Sequence, residues 1–131
     1  MVDTAPVRTR KVMIVDDEPD IRRVGELSLE LVGKFQVLLA AGGEEALAMA
    51  AREKPDLILL DVMMPRLDGI STFDRLQQSR ETADIPVIFM TARVQRTQVE
   101  RYLARGAKGV IFKPFDPLTL PLEIGRIAGY G

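Results

Sequence analysis

The sequence predicts an α/β fold, a doubly wound (βα)5 domain around a parallel sheet. Five runs of three or four residues are apolar at successive rather than alternate positions, the pattern of strands covered on both faces. Between them lie stretches with apolar residues at helical spacing. The runs begin at 12, 37, 57, 87 and 110, so their starts are 25, 20, 30 and 23 residues apart. Each interval has room for one crossover helix and two loops.

The first strand is Val12-Met13-Ile14-Val15, and a helix with the stripe Ile21, Val24, Leu27 and Leu31 follows, stopped by Gly33. Val37-Leu38-Leu39-Ala40 is the second strand, with Ala46, Leu47, Ala50 and Ala51 on the next helix, which ends before Pro55. Leu57-Ile58-Leu59-Leu60 precedes a helix marked by Ile70, Phe73 and Leu76. Val87-Ile88-Phe89-Met90 precedes one marked by Val99, Tyr102 and Leu103, with Gly106 as its stop. Val110-Ile111-Phe112 is the fifth strand. Asp116-Pro117 reads as an N-cap and first helical residue, but Pro121 then falls where a helix would lose a backbone donor. A short turn from Pro117 is therefore expected, with the last helix proper starting near Leu120 or Pro121. The chain divides into an N-terminal extension (1–10), one domain (11–128) and a short tail (129–131).

Composition narrows the function. The 131 residues are 47% hydrophobic and 28% charged, enough for a core and too apolar for long polar disorder. No apolar run approaches the roughly 18 residues of a membrane span, and the polar stretch Met1 to Arg10 lacks a signal-peptide core, so no membrane contact and a cytoplasmic location are expected. Cys and His are both absent, which removes thiolate chemistry, imidazole bases and sites for soft or borderline metals. Eighteen basic and 19 acidic residues give a net charge of −1, which argues against direct nucleic-acid binding. The basic stretch Arg8-Thr9-Arg10-Lys11 reads as a solvated lead-in to the first strand.

In open parallel sheets, ligands bind beyond the carboxyl ends of the strands. There the chain places Asp16-Asp17, Asp61, Thr91 and Lys113-Pro114, and right-handed crossovers bring these ends to one edge. Crowded carboxylates repel, and a hard divalent cation relieves the repulsion. A cation beside a carboxylate, an ammonium and a hydroxyl points to phosphoryl chemistry, with the carboxylate as nucleophile. Each residue alone has a plainer reading: Asp17 or Thr91 as a helix cap, Asp61 as a loop acid, Lys113-Pro114 as a turn. Their shared place at strand ends favours the functional reading.

These residues resemble the receiver domain of two-component response regulators, of the single-domain, chemotaxis-regulator-like kind. The matching segments are residues 12–19, 59–65, Asp68-Gly69, Met90-Thr91-Ala92 and Lys113-Pro114-Phe115. The resemblance implies a flavodoxin-like sheet of order 2-1-3-4-5. It implies Asp61 as phospho-acceptor and a Mg2+ site (Mn2+ as alternative) at Asp16, Asp17, Asp61 and the backbone carbonyl of Met63. Thr91 would be the switch hydroxyl, Ala92 the small neighbour that leaves room for the phosphoryl group, and Lys113 the ammonium, with a cis bond to Pro114. Met63 and Arg93 stand where the family tunes phosphoryl lifetime. Val110 replaces the usual switch aromatic, and Phe112, two residues on, shares its strand face.

A sensor histidine kinase or histidine phosphotransfer protein is then the expected donor, since this chain has no His of its own. The output would be a downstream protein contact on helix four, strand five and helix five, where Gln95, Arg96, Gln98, Arg101 and Arg105 adjoin the apolar edge Pro117 to Leu122. The expected state is a monomer, with a phosphorylation-dependent dimer as the alternative. A single-domain regulator and a domain of a longer chain are both open readings. Beyond self-phosphorylation from a donor and self-dephosphorylation, no enzyme activity is expected. A constitutive scaffold of this fold competes with the signalling role. An aspartyl-phosphate hydrolase is disfavoured because Met63 stands where its general acid would be. A flavin binder is disfavoured because Asp16-Asp17-Glu18 would repel the flavin phosphate.

Overall fold

A computed structural model describes residues 9–92 and 95–130. The strands are β1 (Lys11–Val15), β2 (Gln36–Ala40), β3 (Leu57–Asp61), β4 (Val87–Thr91) and β5 (Gly109–Phe112), all parallel, in the order β2-β1-β3-β4-β5. The helices are α1 (Pro19–Leu27), α2 (Gly43–Glu53), α3 (Gly69–Gln78), α4 (Arg96–Arg105) and α5 (Leu120–Ala128). The order reverses direction at β1, so the crevice between the ends of β1 and β3 lies at the switch point.

Strand alternation divides the core in two. Met13, Val15, Ile58, Leu60, Val87 and Phe89 face one way, against Ala46 and Ala50 of α2, Phe73 and Leu76 of α3, and Tyr102 of α4. Val12, Ile14, Leu57, Leu59, Ile88, Met90 and Ile111 face the other, against Leu29 and against Leu120 and Ile124 of α5. On the first face Phe89 packs between Phe73 and Tyr102, with ring centroids 5.3 and 5.1 Å away. α5 begins at Leu120 after a turn closed by Asp116, whose Oδ1 accepts from the Leu118 amide at 2.9 Å. Pro121 thus sits in the first turn, where its missing N–H costs nothing.

α1 differs from the expectation. Gly25, Ser28 and Leu29 are its buried residues, while Val24 and Leu27 are 40% exposed and Leu31 is 64% exposed. The helix runs on into a π-helical turn, Ser28–Val32, whose Ser28 hydroxyl donates to the Pro117 carbonyl. A β-carbon on Gly25 would lie 2.8 Å from Ile14 Cδ1, so α1 lies close against the sheet through its smallest residue. Three of the four residues of the apolar stripe legible in the sequence are therefore left exposed, while Ile21 is half-buried. Leu103 on α4 is likewise left 44% exposed. Among the described residues no helix is long and apolar enough to cross a membrane.

Candidate functional site at the carboxyl edge of the sheet

Residue parity builds the site. Asp16 continues the row Val12, Ile14; Asp61 continues Leu57, Leu59; Lys113 continues Ile111. All three side chains therefore emerge on the face covered by α1 and α5. Thr91 continues Val87 and Phe89 and so belongs to the face covered by α3 and α4. It is 1% exposed, and its register partner on β5 is Phe112.

The Lys113 ammonium bridges two carboxylates, 2.6 Å from Asp16 Oδ2 and 3.2 Å from Asp61 Oδ1. Asp16 is fully buried; its Oδ1 accepts from the Glu18 amide at 2.9 Å, and its Oδ2, beside the ammonium, accepts no well-directed hydrogen bond among the described residues. Asp61 Oδ1 also accepts from the Met63 amide at 3.3 Å. Asp17 completes the set: carboxylate oxygens of Asp16, Asp17 and Asp61 all lie within 4.8 Å of one another. An all-oxygen donor set with a buried, poorly satisfied oxygen fits a hard divalent cation and excludes a soft one.

Electrostatics follow from the crowding. Burial, and then repulsion from Asp16, push the Asp61 carboxyl from 3.8 up to about 6, with Lys113 and the Met63 amide opposing the rise. Burial pulls the Lys113 ammonium down, but the Asp16 and Asp61 carboxylates more than offset it, so its net shift is upward. Asp61 is thus mainly ionised at neutral pH and accessible to protonation just below it.

The helix-cap readings of Asp17 and Thr91 do not hold. Glu18, not Asp17, is the N-cap of α1; α3 is capped by Asp68, whose Oδ1 accepts from the Ser71 amide at 2.7 Å; and Gln95, not Thr91, precedes α4. The Lys113–Pro114 bond is cis. Met63 is 62% exposed and Ala92 is exposed beside Thr91, whereas Arg93 lies outside the described residues. Val110 is half-buried against the Phe89 side of the core, and Phe112 is 39% exposed.

Two contributors carry no assigned role in the sequence reading: Gly69, although it lies in a matching segment, and Arg22. A β-carbon on Gly69 would overlap the Asp61 carbonyl oxygen and come within 2.7 Å of Val62 Cα, so only glycine lets the start of α3 close over the end of β3. Arg22 on α1 donates through Nη1 to the Asp16 backbone carbonyl at 2.7 Å. Position 22 carries no sequence signal, because an Arg in the first turns of an amphipathic helix reads as solvated surface.

Residues 12–124 match the family described as response regulator receiver domain. The probable transcriptional regulator ycf27 of Porphyridium aerugineum is 40% identical over 121 residues, covering 92% of this chain and 49% of that protein. The DNA-binding dual master transcriptional regulator RpaA of Synechocystis is 38% identical over 106 residues, covering 81% and 44%. Among solved structures, the chemotaxis protein CheY4 of Vibrio cholerae superposes with a TM-score of 0.84 at 32% identity, covering 92% of this chain and 99% of that one.

The chain spans about half the length of the curated relatives it matches. That corrects the expected partner set of kinase and downstream protein without nucleic acid: these relatives are named transcriptional regulators, one of them DNA-binding. The net charge of −1 belongs to this chain alone and reports only on contacts its own surface makes, so it carries no information about the rest of those relatives.

Proposed function

We propose that this chain, which belongs to the response regulator receiver domain family, is a two-component signalling module that accepts a phosphoryl group on Asp61. The observation that carries this reading is the Asp61 carboxylate at the end of the central strand, held 3.2 Å from the Lys113 ammonium and mainly ionised at neutral pH. An Asp61 oxygen forms the bond to phosphorus while the donor's phosphorus–nitrogen bond breaks, and the imidazole of a histidine kinase or phosphotransfer protein leaves with the electron pair. Lys113 carries its charge to the transferring oxygens, and Thr91 donates a hydrogen bond to one of them. Mg2+, or Mn2+, held by Asp16, Asp17, Asp61 and the Met63 carbonyl, would neutralise the charge on those oxygens. Val110 stands in the place of the usual switch aromatic, and Phe112, the register partner of Thr91, shares its strand face; the response is read out on the face of α4, β5 and α5. The names of the curated relatives favour transcription control as the output served by this receiver.

Intact-mass spectrometry after incubation with Mg2+ and acetyl phosphate tests the reading. One added phosphoryl group on the wild type, absent from Asp61→Asn, is expected. Failure with acetyl phosphate and also with beryllofluoride, while Mg2+ still binds, would leave the constitutive scaffold as the better account.

A further inference from the structure

Of the three clustered carboxylates, Asp16 and Asp61 are held through their side chains, by the Glu18 amide, the Met63 amide and Lys113. Asp17 is not: among the described residues its carboxylate makes no hydrogen bond and no ion pair. The backbone therefore sets where its Cα–Cβ bond starts and points, and with that the region its carboxylate can reach through its rotamers. The peptide that leads into Asp17 is planar from Asp16 Cα to Asp17 Cα, so whatever fixes the Asp16 carbonyl also fixes the origin of the Asp17 side chain. Arg22 does this, with its Nη1 2.7 Å from that carbonyl.

The neighbouring arginine shows that this is a particular use of position 22. Arg23 turns outward and pairs with Glu26 at 2.7 Å, a surface contact one turn along the same helix. Arg22 forms no ion pair among the described residues and is half-buried, its charge directed at a peptide carbonyl. Asp16 is thus held through its carbonyl by Arg22, through its side-chain Oδ1 by the Glu18 amide, and through its own amide, which donates to the Ala40 carbonyl at 3.1 Å.

We propose that Arg22 is a positioning residue of the acidic site: its hydrogen bond to the Asp16 carbonyl aims the Asp17 carboxylate toward those of Asp16 and Asp61 for binding a divalent cation. The inference rests on reading the trio as a cation site. Groups that orient metal ligands from behind typically contribute ten- to a hundredfold in metal affinity. A competing effect has the opposite sign, because removing a nearby positive charge strengthens cation binding. The direction of the change therefore separates positioning from simple charge.

The test is calorimetric titration of MgCl2 into the metal-free wild type, Arg22→Met, Arg22→Lys, Asp17→Asn and the double variant Arg22→Met/Asp17→Asn. Melting in EDTA serves as the folding control. About tenfold weaker binding is expected for Arg22→Met. Arg22→Lys, which keeps a long donor, should recover most of that loss. In the Asp17→Asn background, Arg22→Met should change affinity less than about twofold, because the side chain it aims is gone. Unchanged or tighter binding by Arg22→Met overturns the proposal, as does an equal loss in the two backgrounds. A lower melting temperature with unchanged affinity assigns Arg22 a structural role only and overturns it too. If Arg22→Met does not fold, Arg22→Gln takes its place in the same cycle. A wild type that binds no Mg2+ overturns the cation-site reading itself, an outcome distinct from failure of Arg22.

Discussion

Asp61→Asn should stabilise the metal-free protein, although it removes the proposed reactive group. Asp61 sits among like charges, and its carboxyl is raised from 3.8 to about 6. The folded chain then binds this proton more tightly than the unfolded chain does. Its contribution to stability is present in full below the unfolded value of 3.8 and is lost as pH rises through about 6. A shift of about two units corresponds to about 3 kcal/mol at most. Solvent screening at the mouth of the site and the lost contact with Lys113 reduce the gain to about 1–2 kcal/mol. For a domain of this length, that is a rise of roughly 3–8 °C in Tm. Far-UV circular dichroism melts in EDTA, from pH 4 to pH 7.5, give the difference between variant and wild type. That difference should be near zero at pH 4 and reach full size above the Asp61 titration. Saturating Mg2+ should narrow it by stabilising the wild type more. An Asp61→Asn protein that melts at or below the wild type in EDTA at pH 7.5 would refute the account of a carboxylate strained by its neighbours.

The other predictions concern the scaffold that holds the site. Gly69→Ala should cost about 3 kcal/mol or prevent folding in urea titrations, because its β-carbon meets backbone at Asp61 and Val62, whereas Gly25→Ala should cost about 1 kcal/mol, because it meets the movable end of Ile14. Lys113→Met should raise the Asp61 titration above about 6, read by carboxyl NMR, and lower the yield of phosphoprotein from acetyl phosphate. Asp74→Asn, which breaks the exposed 3.1 Å pair between α3 and Arg105 of α4, should change stability by less than about 1 kcal/mol in the same titrations.

The strands were legible because their signal is local and redundant. A strand buried on both faces needs a run of apolar residues, and each of the five runs lies within its strand. The candidate site was legible for a related reason: a parallel sheet puts every strand's carboxyl end at one edge, so Asp16, Asp61, Thr91 and Lys113 could be grouped before any distance was known. The buried face of α1 was not legible. Hydropathy favours Val24, Leu27 and Leu31, yet the sheet is approached through Gly25 and Ser28. That choice depends on the shape of Ile14 and on the Pro117 carbonyl, 89 residues along the chain from Ser28.

Chain connectivity and hydrophobic pattern determined which residues end each strand, and with that the chemical composition of the edge. They are properties of nearest neighbours along the chain. The division of that edge between two faces, Asp16, Asp61 and Lys113 with α1 and α5 and Thr91 with α3 and α4, depends on strand register. The 2.6 Å approach of Lys113 to Asp16, the raised Asp61 carboxyl and the hold of Arg22 on the Asp16 carbonyl depend on burial and on contacts between distant segments. Only the packed molecule settles these, because a charge acquires its energy from the dielectric and the partners that surround it, and neither exists until the chain has folded.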